Sequence, residues 1–155
     1  IFGVEFSGSY YATKDLYLDF GLAYQRGKKD HPLKGQTGTH LPEIPPLKIN
    51  LALNYDYMPN SYGRLELVAA DDWERYDAEN GEQYLDDYAV LNFKIKQDLT
   101  RGFEITAGVD NITNETYAVS NTYQDLTLLT GGATDEVMLM NEPGRYYYLN
   151  GTYRF

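Results

Sequence analysis

The chain of 155 residues carries 23 acidic against 13 basic side chains, a net charge of -10, and an aromatic content of 15% that includes 16 Tyr. That balance excludes nucleic acid as a partner, since phosphate neutralisation needs clustered Lys and Arg. The absence of Cys excludes disulfides, thiolate zinc sites and thiol catalysis. No apolar run approaches the ~18 residues of a membrane-spanning helix, which leaves strand barrels open because their signal is alternation. The chain starts Ile-Phe-Gly without a basic and apolar leader, so any signal peptide is expected outside it.

Seven stretches alternate at period two, which predicts an all-β chain. Phe2 to Tyr11 sets Phe2, Val4, Phe6, Gly8 and Tyr10 against Glu5, Ser7, Ser9 and Tyr11. After the turn Ala12 to Asp15, the stretch Leu16 to Arg26 sets Leu16, Leu18, Phe20, Leu22 and Tyr24 against Tyr17, Asp19, Gly21, Ala23 and Gln25. Leu47 to Tyr57 follows Pro45-Pro46 and sets Leu47, Ile49, Leu51, Leu53, Tyr55 and Tyr57 against Lys48, Asn50, Ala52, Asn54 and Asp56. Past the turn Met58 to Ser61, the fourth sets Leu65, Leu67 and Ala69 against Arg64, Glu66 and Val68. The fifth, Tyr88 to Gln97, sets Ala89, Leu91, Phe93 and Ile95 against Asn92, Lys94 and Lys96. The sixth is expected to run from Phe103 to Tyr117 with a bulge near Asn111, where alternation loses phase. The last, Gly144 to Phe155, puts Tyr147, Leu149, Gly151, Tyr153 and Phe155 on its apolar side.

Connections alternate short and long: Ala12 to Asp15, Met58 to Ser61 and Leu99 to Gly102 against Gly27 to Ile44, Asp71 to Asp87 and Val119 to Pro143. All short turns therefore fall at one end of the sheet, the layout of an outer-membrane meander. Aromatics gather near strand ends as an interfacial girdle requires: Phe2, Tyr10, Tyr24, Tyr55, Tyr57, Tyr62, Phe103, Tyr117, Tyr147 and Phe155. The opposite faces carry Glu5, Asp19, Lys48, Asp56, Glu66, Lys94, Glu104 and Arg154, which a dry core rarely accepts and a wet lumen does. A soluble β-sandwich binding module with a tyrosine-rich face is the alternative from another class, and a passive porin is a third.

Four stretches resemble the C-terminal third of the TonB-dependent outer-membrane receptors: GVEFSGSYYATKDLYLDFGLAY from Gly3, LPEIPPLKINLALNYDY from Leu41, ITAGVDNITNETYA from Ile105, and NEPGR (Asn141 to Arg145) followed by YYYLNGTYRF. The resemblance implies that residues 1–155 form the last part of a barrel of about 22 strands, lacking the plug and earlier strands. It implies an active transporter rather than an enzyme, sited in the bacterial outer membrane. Its partners would be membrane lipid, TonB through the absent plug, and a metal chelate. Iron-siderophore is the first cargo expected, with copper, cobalamin and haem as alternatives. It further implies that Phe155, Tyr153, Leu149 and Tyr147 form the signal read by the barrel-assembly machinery.

No catalytic constellation and no cofactor motif accompanies these strands. His31 and His40 stand nine apart on a Gly/Pro/Thr loop and read as loop surface, with metal ligation as the sharper alternative. Asp71, Asp72, Glu74, Asp77, Glu79, Glu82, Asp86 and Asp87 crowd the second long loop and read as a solvated, self-repelling segment. Met138 and Met140 point the same way if extended, and soft thioethers suit Cu(I). The stretches ADDWERYD (Ala70 to Asp77) and NEPGR are similar to the copper-receptor branch of the family. Trp73, Tyr76, Tyr84 and Tyr123 are the loop aromatics expected either to stack on a ligand or to sit at the lipid interface.

Overall fold

A computed structural model of the chain describes residues 1–32, 34, 35, 37–99, 102–119 and 141–155. Seven strands follow in sequence: β1 (Phe2–Tyr11), β2 (Leu16–Arg26), β3 (Lys48–Met58), β4 (Ser61–Ala70), β5 (Tyr88–Leu99), β6 (Phe103–Asp110) and β7 (Tyr146–Tyr153). They form one antiparallel sheet in the order β1-β2-β3-β4-β5-β6-β7, so every strand pairs with its neighbours in sequence. Among the described residues there is no second layer, which removes the sandwich alternative.

The register decides what each face is, because residues directly opposite in an antiparallel pair share a face. One row reads Tyr10, Leu18, Leu53, Leu65, Phe93, Val109 and Tyr147, and the next reads Gly8, Phe20, Leu51, Leu67 and Leu91. The apolar faces foreseen strand by strand therefore merge into one continuous surface. It is not buried: Leu53 is 46% exposed and Leu149 74%. An uncovered apolar sheet of this size fits lipid and not water.

Two of the expected girdle residues belong to the other face. Tyr62 lies opposite Asp56 and Lys96, and Tyr117 packs on Tyr88 at 4.5 Å between ring centroids. Tyr62 alternates in phase with Arg64 and Glu66 along β4, so its place near a strand end does not put it on the lipid side.

The sixth strand stops at Asp110, not Tyr117. Asn111 adopts φ +53°, which Asn tolerates better than most residues, and its buried side chain replaces the sheet ladder. Its Oδ1 accepts from the Glu115 amide at 2.7 Å; its Nδ2 donates to the Glu115 carbonyl at 2.7 Å and to the Pro143 carbonyl at 3.3 Å. Its own amide donates to Asn92 Oδ1 at 2.8 Å. Asn114, at φ +58°, then accepts from the Arg145 amide at 3.0 Å. A side chain at Gly144 would start 2.9 Å from Asn114 Oδ1 and press on the oxygen that accepts from the Arg145 amide. DNITN is thus a knot tying the exit of β6 to the start of β7, and a phase loss that resembled a bulge is a complete turn.

Candidate functional site

The second face carries a hydrogen-bonded ladder of charges across the middle strands. Arg64 reaches Asp19 Oδ2 at 3.1 Å and Asn54 Oδ1 at 3.0 Å through Nη1, and Glu66 Oε1 at 2.8 Å through Nη2. Asp19 also accepts from Ser9 at 2.6 Å and Asn54 at 2.9 Å. Nearer the short turns, Glu104 receives Lys96 at 2.8 Å and Arg154 at 3.5 Å. Lipid would leave these charges uncompensated by water, so this face must line the aqueous side.

Toward the long-loop end the same face turns apolar. Ala70, Tyr88 and Val90 pack with Val68, Tyr117 and Val119, and beside them Trp73, Leu85, Ala118 and Tyr76 form a second cluster. The segment after Asn111 folds inward over β4 and β5 and holds there, since the Glu142 amide donates to the Tyr117 carbonyl at 2.8 Å. Burial, with Glu142 and Asp110 nearby, pushes the Tyr117 phenol up from its usual range.

The first two long loops are bolted together by the acidic residues that the sequence presents as self-repelling. Lys29 Nζ lies 2.6 Å from Asp77 Oδ2 and 3.8 Å from Glu79 Oε2. Glu79 Oε1 accepts from the Thr37 amide at 2.7 Å, while Glu82 accepts from the Glu43 amide at 2.5 Å and the Asp77 amide at 2.6 Å. Glu43, held at φ +59°, is thus fixed by a carboxylate of the neighbouring loop. Burial disfavours the charged form of Asp77, but the hydrogen bonds from Lys29 and Asn80 and the charge of Lys29 outweigh it and hold the carboxyl below its ordinary value.

A depressed carboxyl stabilises above its unfolded value of about 3.9, and that contribution fades as pH falls through the folded value. Hydrogen exchange at the Thr37 and Glu43 amides, corrected for intrinsic rates, is therefore expected to be slow at pH 7 and to rise below about pH 4. Lys29→Met removes a charge-assisted bond of about 2 kcal/mol and should speed both amides at pH 7. Unchanged exchange in that variant would show that the bolt is not holding the loops.

The residues singled out in the sequence are scattered over this end. Trp73 is buried and packs under Ala118, so its ring is not free to stack on a ligand. Tyr76 is half-buried beside it. Tyr84 is exposed, and its hydroxyl donates to Asp72 Oδ1 at 2.7 Å. That bond pushes its pKa up to about 12, so the phenol remains protonated at ordinary pH. His40 bridges to Lys28 within the first long loop and His31 is exposed; no group of three metal-type ligands forms among the described residues. Tyr123, Met138 and Met140 lie outside the described residues. Tyr147, Leu149, Tyr153 and Phe155 all stand exposed along or beyond β7, which has no partner on its outer edge among the described residues.

A small cavity of about 150 Å³ opens between the roots of the two bolted loops, lined by Tyr24, Gly27, Ile44, Pro46, Trp73 and Arg75. Arg75 donates to the Tyr24 hydroxyl at 3.0 Å and lies 5.9 Å above that ring. Sequence spacing alone brings neither Lys29 to Asp77 nor Arg75 to Tyr24, because both contacts join residues far apart in the chain, 51 positions for Arg75 and Tyr24. Asn111 had a local signal, an Asn-rich run at the point where alternation fails.

A meander with one lipid-fitting face, one ion-paired face, and long loops gathered at one end defines a section of an outer-membrane barrel. The chain belongs to the family described as TonB dependent receptor-like, beta-barrel, whose model matches residues 1–112. Members of this class are outer-membrane transport barrels and not enzymes. The fold is similar to that of the solved copper transporter OprC, with a TM-score of 0.76 at 21% identity, covering 99% of this chain and 23% of that one. This chain thus spans less than a quarter of that protein's length. No curated protein matches it.

Proposed function

We infer that residues 1–155 form the C-terminal section of a large barrel that imports a metal chelate across the outer membrane, energised through TonB. The observation that carries this reading is the pairing of an unbroken apolar face with the ladder Asp19, Asn54, Arg64 and Glu66 on its reverse. The seven strands among the described residues are too few to close a barrel, for which eight is the minimum, so the edges of β1 and β7 call for further strands. The barrel-assembly machinery would read the exposed alternate aromatics of β7, and the plug would bring TonB.

Copper is the cargo we favour over an iron-siderophore complex. The fold neighbour named a copper transporter supports it, as does the pair Met138 and Met140, whose thioethers suit Cu(I). In cells expressing the full-length receptor, Met138→Ala with Met140→Ala is expected to cut copper uptake about tenfold, equivalent to ~1.4 kcal/mol of lost binding, with the barrel still assembled. Unchanged copper uptake in that double variant would return the cargo to the siderophore class.

A further inference from the structure

Most cations on the ion-paired face are spoken for. Arg64, Lys96 and Arg154 each reach a carboxylate. Among the described residues Lys48 and Lys94 do not, and of these two Lys94 stands in the stranger setting. It lies directly opposite Arg64 in the β4-β5 register, a like-charge pairing that a sheet disfavours. Arg64 resolves the conflict by turning its guanidinium to Asp19, Asn54 and Glu66. Lys94 is left with the ring of Tyr62, 5.9 Å from its ammonium.

Toward β6, Lys94 faces a position that carries no side chain. Its partner in β6 is Gly108, whose own partner in β7 is Tyr148. A Cβ on Gly108 would collide with the Tyr148 hydroxyl and stand 2.8 Å from the Phe93 carbonyl. The missing side chain therefore lets the Tyr148 phenol lie across β6 toward Lys94. An ammonium that touches no carboxylate among the described residues, flanked by two phenols on a half-buried wall, is a ready contact for an anionic oxygen.

We propose that Lys94, with Tyr62 and Tyr148, is the inner wall's contact for an anionic oxygen, a carboxylate or phenolate belonging to whatever occupies the lumen. The proposal rests on the reading of this face as the lumen wall. Two sources share the chemistry: an acidic side chain of a protein segment filling the barrel, or an anionic chelate in transit.

The test uses the full-length receptor in membranes, with exposed Lys34 of the first long loop as internal reference. A zero-length carbodiimide cross-link from Lys94 to an acidic residue elsewhere in the chain, found by mass spectrometry, supports the first source. Slowing of Lys94 acetylation by cupric citrate, about tenfold relative to Lys34, supports the second. Lys94 that acetylates freely, ignores citrate and forms no cross-link overturns the proposal while leaving the lumen reading intact. Lys94 that neither acetylates nor cross-links overturns both. Copper uptake enters neither arm, so the cargo assignment stands or falls separately.

Discussion

Replacing Asn111 by Ala is expected to destabilise the barrel by about 2 to 5 kcal/mol. The variant strips partners from the Glu115 amide and the Glu115 and Pro143 carbonyls at a buried position, a loss worth about 1 to 3 kcal/mol when such groups go unsatisfied. It also places an alanine at φ +53°, which adds about 1 to 2 kcal/mol of strain. Asn111→Gly should recover the strain and none of the hydrogen bonds. Denaturant unfolding of the full-length receptor in lipid vesicles measures all three proteins. Equal stability of the Gly variant and the parent would contradict the knot, since the side-chain bonds would then contribute nothing.

The second large effect belongs to the opposite face. Leu51 sits in β3 between Phe20 of β2 and Leu67 of β4, within the continuous apolar surface. Leu51→Arg places a charge among lipid chains and is expected to cost about 2 to 4 kcal/mol at mid-membrane depth. The same charge at Thr106, on the ion-paired face opposite Lys96 and Asn150, should cost no more than about 1 kcal/mol, the like-charge penalty against Lys96, because water reaches it. Vesicle unfolding again supplies the numbers. Equal penalties at Leu51 and Thr106 would mean that the two faces do not differ in solvent.

How much of this was legible beforehand depends on the range of the interaction. Strands β1 and β2 have the foreseen limits, because a side chain's face along a strand is fixed by the backbone's period of two. Other strand ends differ by a residue or two, as at Lys48, Met58 and Leu99, except that β6 stops at Asp110 instead of Tyr117. Tyr62 and Tyr117 were assigned to the lipid girdle on position alone, and both turn inward. For Tyr62 the cause is its own alternation with Arg64 and Glu66 along β4; for Tyr117 it is the turn at Asn111, which takes the chain out of the sheet and over its inner side.

The outer loops show the opposite limit. Their acidic run looked self-repelling because one-dimensional charge density says nothing about what faces it. In three dimensions Lys29 and the amides of Thr37 and Glu43 arrive from the neighbouring loop and turn the repulsion into a bolt. Trp73 likewise looked like a stacking platform, yet the inward fold of Ala118 covers it. The polar faces, by contrast, were foreseen as wet, and Arg64 with Asp19 and Glu66 shows why: the face is tiled with compensating charges, not merely tolerant of single ones.

The central claim is that adjacent residues of one strand face different solvents, and β6 offers the cleanest pair. Thr106 and Ala107 are neighbours on opposite faces, Thr106 makes none of the ladder contacts, and this chain has no cysteine to confuse a label. A nitroxide at each position in turn, in the full-length receptor in vesicles, can be relaxed by a water-soluble nickel chelate or by oxygen dissolved in lipid. Oxygen should dominate at position 107 and nickel at position 106. Nickel dominance at both, or the reverse order, would contradict a lipid-facing sheet with an aqueous inner wall.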